Sequence, residues 1–101
     1  MKGENAMQKQ GALTERVRRM ELYFDTIHRA LQENVNILHD PPLRAMLDAL
    51  TAYYDGGQWL SDYEADERGE LPPDLKRGVL SQDGVYDLFC EIGEIREREL
   101  S

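Results

Sequence analysis

The chain has 101 residues, 12 basic against 20 acidic, with a formal net charge of −8 and a pI near 4.7. That average field repels a phosphate backbone and an anionic bilayer, which excludes nucleic acid and membrane as first partners. The length suits one domain with one modest core, and the single cysteine, Cys90, leaves no intrachain disulfide and no multi-cysteine metal site. No stretch approaches the roughly 20 apolar residues of a membrane span, and the N-terminus lacks the apolar run of a signal peptide. A reducing cytoplasm is the expected location. The charge is uneven: Asp55 to Asp74 carries seven acids and one base, Arg68. A cation or a basic patch on another protein is what such a stretch attracts.

Residues 1–12 are polar and aperiodic and are expected as a mobile N-terminal tail, leaving 13–101 as a single all-helical domain. From Leu13 the apolar residues fall at Val17, Met20, Phe24, Ile27, Leu31, Val35 and Leu38, the alternating threes and fours of an amphipathic helix. Thr14 is the expected N-cap, and Asp40-Pro41-Pro42 stops the helix near His39. So regular a seam resembles a coiled-coil face. Asp40 caps the second helix with Pro41 at its first position, and Leu43, Met46, Leu47, Leu50, Tyr53 and Tyr54 form its apolar set. Gly56-Gly57 ends it.

A short third helix spans Gln58 to Arg68 and stops at Gly69. Leu71-Pro72-Pro73 reads as extended, and residues 74–78 as one helical turn closed by Gly78. Ser81 caps the last helix, whose buried stripe is Val85, Leu88, Phe89, Ile92 and Ile95. The pattern predicts an all-α fold: a small bundle of about four helices with a long first helix and a short capping helix-turn. The first helix is expected to pack along the second and the last.

On a wheel of the third helix, Trp59, Leu60 and Tyr63 define one arc, with Asp66 and Glu67 in or beside it and Asp62 one turn earlier. Acids on a core-facing surface must be paired. Lys76 or Arg77 folding back onto Asp62, Asp66 or Glu67 would staple the loop. The competing reading is a divalent-cation site at Asp62, Asp66 and Glu67, and with it a small metal-dependent enzyme. Pairs of acids at helical spacing, such as Glu64/Glu67 and Glu91/Glu94, hold magnesium in some all-α enzymes, but no phosphate loop accompanies them here. His28 and His39 have no partner at ligand spacing, and Cys90 beside Phe89 reads as a small core residue. Tyr53, Trp59 and Tyr63 read as core; Tyr54 and Tyr86 are open between core and interface.

The run YYDGGQWLSDYEADERGELPPDLKRGVLSQDGVYDL from Tyr53 resembles a family of small uncharacterised bacterial domains of unknown function. RVRRMELYFD in the first helix is similar to that family's opening. The resemblance marks Tyr53, Tyr54, Trp59, Asp62, Glu64, Asp66, Glu67, Leu75, Lys76, Arg77, Gly78, Ser81, Asp83 and Tyr86 as signature positions, with Gln82 and Gly84 as departures. It implies a bacterial or phage-borne protein and assigns no activity. With no catalytic equipment and no cofactor motif, the expected function is a non-catalytic protein–protein interaction module. Its partner is an unidentified protein, or a second copy meeting it through the first helix.

Overall fold

The computed structural model describes residues 2–100, and side chains from Gly11 to Glu99. Four α-helices follow one another: α1 (Lys2–Gln32), α2 (Pro41–Asp55), α3 (Gln58–Glu67) and α4 (Gln82–Leu100). Two single 3-10 turns, Ile37–His39 and Gly78–Leu80, precede α2 and α4. Among the described residues there is no strand, and the fold is all-α as the periodicity predicts. The expected tail over 1–12 lies, up to residue 10, outside the described side chains. Gly11 and Ala12 are already helical, so Thr14 lies inside α1 and does not cap it.

The first helix stops at Gln32, seven residues before the predicted end at His39. Asn34 adopts the left-handed conformation (φ 61°), and the Val35 N–H donates to the Ala30 carbonyl at 2.9 Å. The Asn34 N–H donates to the Leu31 carbonyl at 3.1 Å, which completes a Schellman termination. The same motif closes α3, with Gly69 (φ 76°) in the left-handed position and the Glu70 N–H on the Ala65 carbonyl at 3.0 Å. Once the chain turns at Asn34 the helical register no longer applies. Ile37, which lies off the predicted seam, becomes fully buried, while Val35 is left 37% exposed.

Asp40 caps α2 as predicted, its carboxylate accepting the Leu43 N–H at 3.1 Å. Gly57 links α2 to α3 at φ 88°, a conformation that costs a glycine nothing. The helical turn predicted over 74–78 is absent. The Leu75 N–H closes a turn on the Pro72 carbonyl at 3.2 Å, and Gly78 opens the second 3-10 turn where it was expected to close a helical one.

One continuous core runs from Leu13 to Ile92, with Val17, Ile27, Ile37, Leu47, Val79 and Ile92 at its centre. The seam of α1 is used within the chain: it packs along α2 and against the 78–80 turn. The predicted packing of α1 on α2 is present, and α4 follows directly from the 78–80 turn with Leu88 and Ile92 buried in the common core. That turn is a hub where side chains of α1 and α3 converge at the start of α4. Cys90 is exposed and not part of the core, because the buried stripe of α4 runs through Val85, Leu88 and Ile92 and leaves position 90 facing out.

Space for a side chain at Gly78 is tight. A Cβ there would sit 3.1 and 3.3 Å from the two carboxylate oxygens of Glu21. Glu21 cannot yield without lengthening its 2.7 Å hydrogen bond from the Val79 N–H. Gly78→Ala is expected to cost about 1–2 kcal/mol, the cost of weakening a buried hydrogen bond, as measured by urea denaturation. An unchanged midpoint would show that the carboxylate moves freely.

Candidate functional site

The acids singled out on α3 are drawn into a network of cations and backbone groups. Asp62 is fully buried. Its carboxylate accepts both arms of the Arg16 guanidinium, from Nε at 2.9 Å and Nη2 at 2.6 Å, and the Tyr53 hydroxyl at 2.7 Å. The three residues come from α1, α2 and α3, so one carboxylate ties three helices together. Three donors satisfy the buried charge, as a low-dielectric site requires. The hydrogen bond to Asp62 raises the Arg16 pKa further, and burial, then Asp62, pushes the Tyr53 hydroxyl far above its usual value. Both stay protonated donors at any physiological pH.

Asp66, half-buried one turn later, accepts Arg77 Nε at 2.6 Å. The remaining Arg77 nitrogens donate to the carbonyls of Pro72 (2.7 Å), Leu75 (2.8 Å) and Pro73 (3.3 Å). The loop thus wraps its own arginine, which is then bolted to α3. The expected staple therefore forms between Arg77 and Asp66. Lys76 instead lies 3.4 Å from Asp25 on α1, and Asp62 is taken by Arg16. From the other side, Trp59 Nε1 donates to the Val79 carbonyl at 2.8 Å, while Glu21 accepts the Val79 N–H. Both backbone groups of Val79 are therefore held by side chains, from α3 and from α1.

Asp62, Asp66 and Glu67 do not converge: the first two point at separate arginines, and Glu67 is exposed. Among the described residues no group of three or more His, Cys, Asp or Glu side chains is arranged to hold a metal ion. Glu64 and Asp83 are also exposed. Ser81 accepts the Gly84 N–H at 3.2 Å and caps α4 as predicted. Arg16 and Glu21 were not reached from the sequence. Both flank the α1 seam, where a charged residue reads as solvated rim unless its partner far along the chain is known.

The aromatic residues divide between core and surface. Tyr53 and Trp59 are buried, and Tyr63 stacks on Trp59 at 5.2 Å. Tyr54 is 42% exposed and bridges Trp59 (5.1 Å) and Phe89 (5.6 Å), while Tyr86 is 69% exposed. Tyr54, Tyr86 and Phe89 line a groove of about 310 Å³ between α2 and α4, floored by Leu47 and Ile92. Gly93 and Arg96 continue its α4 wall, and Asp55 its α2 wall. A second depression of about 410 Å³, between the end of α1 and α4, is lined mostly by polar and charged residues.

Glu21 supplies a pH test of the hub. Burial raises its pKa, against the opposing hydrogen bond from Val79. A carboxyl whose pKa is raised on folding binds more protons folded than unfolded, so its contribution to stability is lost as pH rises through the folded value. Glu21→Gln keeps an oxygen for Val79 and removes the buried charge. The variant is expected to gain stability relative to wild type between about pH 4 and pH 7, measured by denaturation at each pH. A pH-independent difference would contradict the assignment.

No curated protein and no solved structure matches the chain. A family model described as "Domain of unknown function (DUF4298)" matches residues 17–101. The match begins at Val17, one residue after Arg16, and takes in Glu21, the whole Tyr53–Tyr86 segment and both walls of the groove. The chain belongs to the DUF4298 family, a domain of unknown function.

Proposed function

We propose that this is a non-catalytic protein-interaction module of the bacterial cytoplasm, and that it receives its partner in the groove between α2 and α4. The observation that carries the reading is the placement of Tyr54 and Tyr86. Two tyrosines stand exposed over a floor of buried aliphatic side chains. Aromatic rings with a polar tip beside an apolar floor are the usual anchors of protein interfaces. The strongly paired acids support the same reading from the opposite direction. Asp62 and Asp66 are committed to Arg16 and Arg77, which makes them poor candidates for proton transfer or metal binding.

Self-association through the α1 seam is the less favoured form of the proposal. Leu13, Val17, Met20 and Ile27 are already buried within the chain, so a second copy would have to displace α2 to reach them. Leu22 is the one large exposed apolar side chain among the described residues of α1, at 61%. No described helix is long and apolar enough to cross a membrane, and the acidic balance supports a protein partner over a lipid one.

The test is capture from the source cell with wild type and Tyr86→Ala as parallel baits, after both have been shown to melt alike. Tyr86 is exposed enough that its truncation should leave stability within about 0.5 kcal/mol. A stoichiometric partner retained by wild type and lost by Tyr86→Ala is expected. A partner held equally by both baits, or none at all, would overturn the groove as the site.

A further inference from the structure

We infer that the outer face of α1 is a docking surface for a second copy of this chain, which meets it antiparallel about a two-fold axis at Leu22. The contact uses the side of α1 opposite the buried seam, so it goes beyond the groove reading above and does not depend on it. At about 100° per residue, Leu22 points directly away from the buried Val17, Met20 and Ile27. Leu22 itself is 61% exposed. Glu15 and Arg29 stand seven residues to either side, fall within about 20° of Leu22 on the wheel, and form one exposed ridge with it. Arg18 and Asp25 lie about 40–60° round on one flank, with Arg19 and Thr26 on the other.

This face is complementary to itself in one orientation. In an antiparallel pair, a residue before the axis lies level with the residue equally far after it in the second copy. Glu15 then faces Arg29 of the second copy, and Arg29 faces Glu15 of the second copy. Like flanks adjoin, so Arg18 lies within about one residue's rise of Asp25 of the second copy. Two-fold symmetry makes each of these pairs twice and brings the two Leu22 side chains together at the axis. A parallel pair would set Glu15 on Glu15 and Arg29 on Arg29, which repel.

The charges of the ridge are not used within the chain. Among the described residues no ion pair engages Glu15, Arg18, Arg19 or Arg29. Asp25 meets Lys76 at 3.4 Å, and both side chains stay partly exposed. With three cations and two acids, the face is close to neutral on a chain of net charge −8, so two copies meet there with little net repulsion. Beside Leu22 an open depression of about 360 Å³, walled by Asp74, Leu75 and Lys76, gives room for Leu22 of the second copy. Exposed ion pairs contribute about 0.2–1 kcal/mol each, so the dimer is a weak one. Its Kd is expected between about 10 µM and 1 mM.

The test is sedimentation equilibrium of the full chain up to about 1 mM, with variants that circular dichroism shows to be fully folded. Arg29→Glu turns two attractive pairs repulsive and is expected to raise Kd at least about tenfold. Adding Glu15→Arg to it exchanges the signs and should bring Kd back to within about threefold of wild type. Leu22→Ser removes the apolar centre from both copies and should also raise Kd at least about tenfold. A monomer at every concentration, a dimer indifferent to Leu22→Ser, or a loss at Arg29→Glu that Glu15→Arg does not recover would overturn the inference. None of these results bears on the groove, which capture with Tyr86→Ala tests separately.

Discussion

A single carboxylate with no contact to solvent holds the arrangement together. Asp62 reaches Arg16 on α1 and Tyr53 on α2 from its own place on α3. A buried charge of this kind is weak evidence for stability in itself, because desolvation offsets much of the attraction. It is strong evidence for specificity. Apolar contacts along a 3-4 seam tolerate a helix sliding or rotating, whereas a bidentate guanidinium and a phenol meet one carboxylate in a single geometry. Any shift of α3 along α1 would leave a charge or a hydroxyl buried without a partner, at a cost of several kcal/mol.

The loop between α3 and α4 depends on that placement. With α3 fixed, Asp66 is positioned to take Arg77, and Trp59 to take the Val79 carbonyl. Glu21, a turn after Val17 on α1, takes the N–H of the same residue. The 78–80 turn is thereby fixed from both sides, and α4 packs on it. Only then does the outer face of α4 stand beside α2 to make a groove. The charged residues of the Tyr53–Asp83 segment mostly build the scaffold, and Tyr54 and Tyr86 at its margins remain exposed.

Much of this was legible from the residues, and the failures have physical reasons. Periodicity found all four helices, and Asp40, Ser81 and Gly69 marked ends that the structure confirms. The end of α1 was misplaced because Asn34, a weaker left-handed signal than glycine, terminates it while Val35 and Leu38 happen to continue the 3-4 spacing. Cys90 was assigned to the core because it neighbours Phe89, although their directions on the helix differ by a full 100°. The need to pair the α3 acids was legible, and so was Arg77 as one partner. Arg16 was not, because it lies 46 residues before Asp62 and no local rule links them. The groove was half legible: Tyr54 and Tyr86 stood out, but the groove itself exists only once α2 and α4 are placed.

The most direct test of the account is a double-mutant cycle on Arg16→Leu and Asp62→Leu, with stability measured by urea denaturation. The geometry predicts that each single substitution strands the other partner, so the double variant should be more stable than the sum of the two losses implies. A coupling of about 2 kcal/mol or more is the expected result for a hydrogen-bonded pair with one partner wholly buried and the other partly exposed. Additivity within about 0.5 kcal/mol would contradict the claim that this contact sets the position of α3, and with it the hub and the groove.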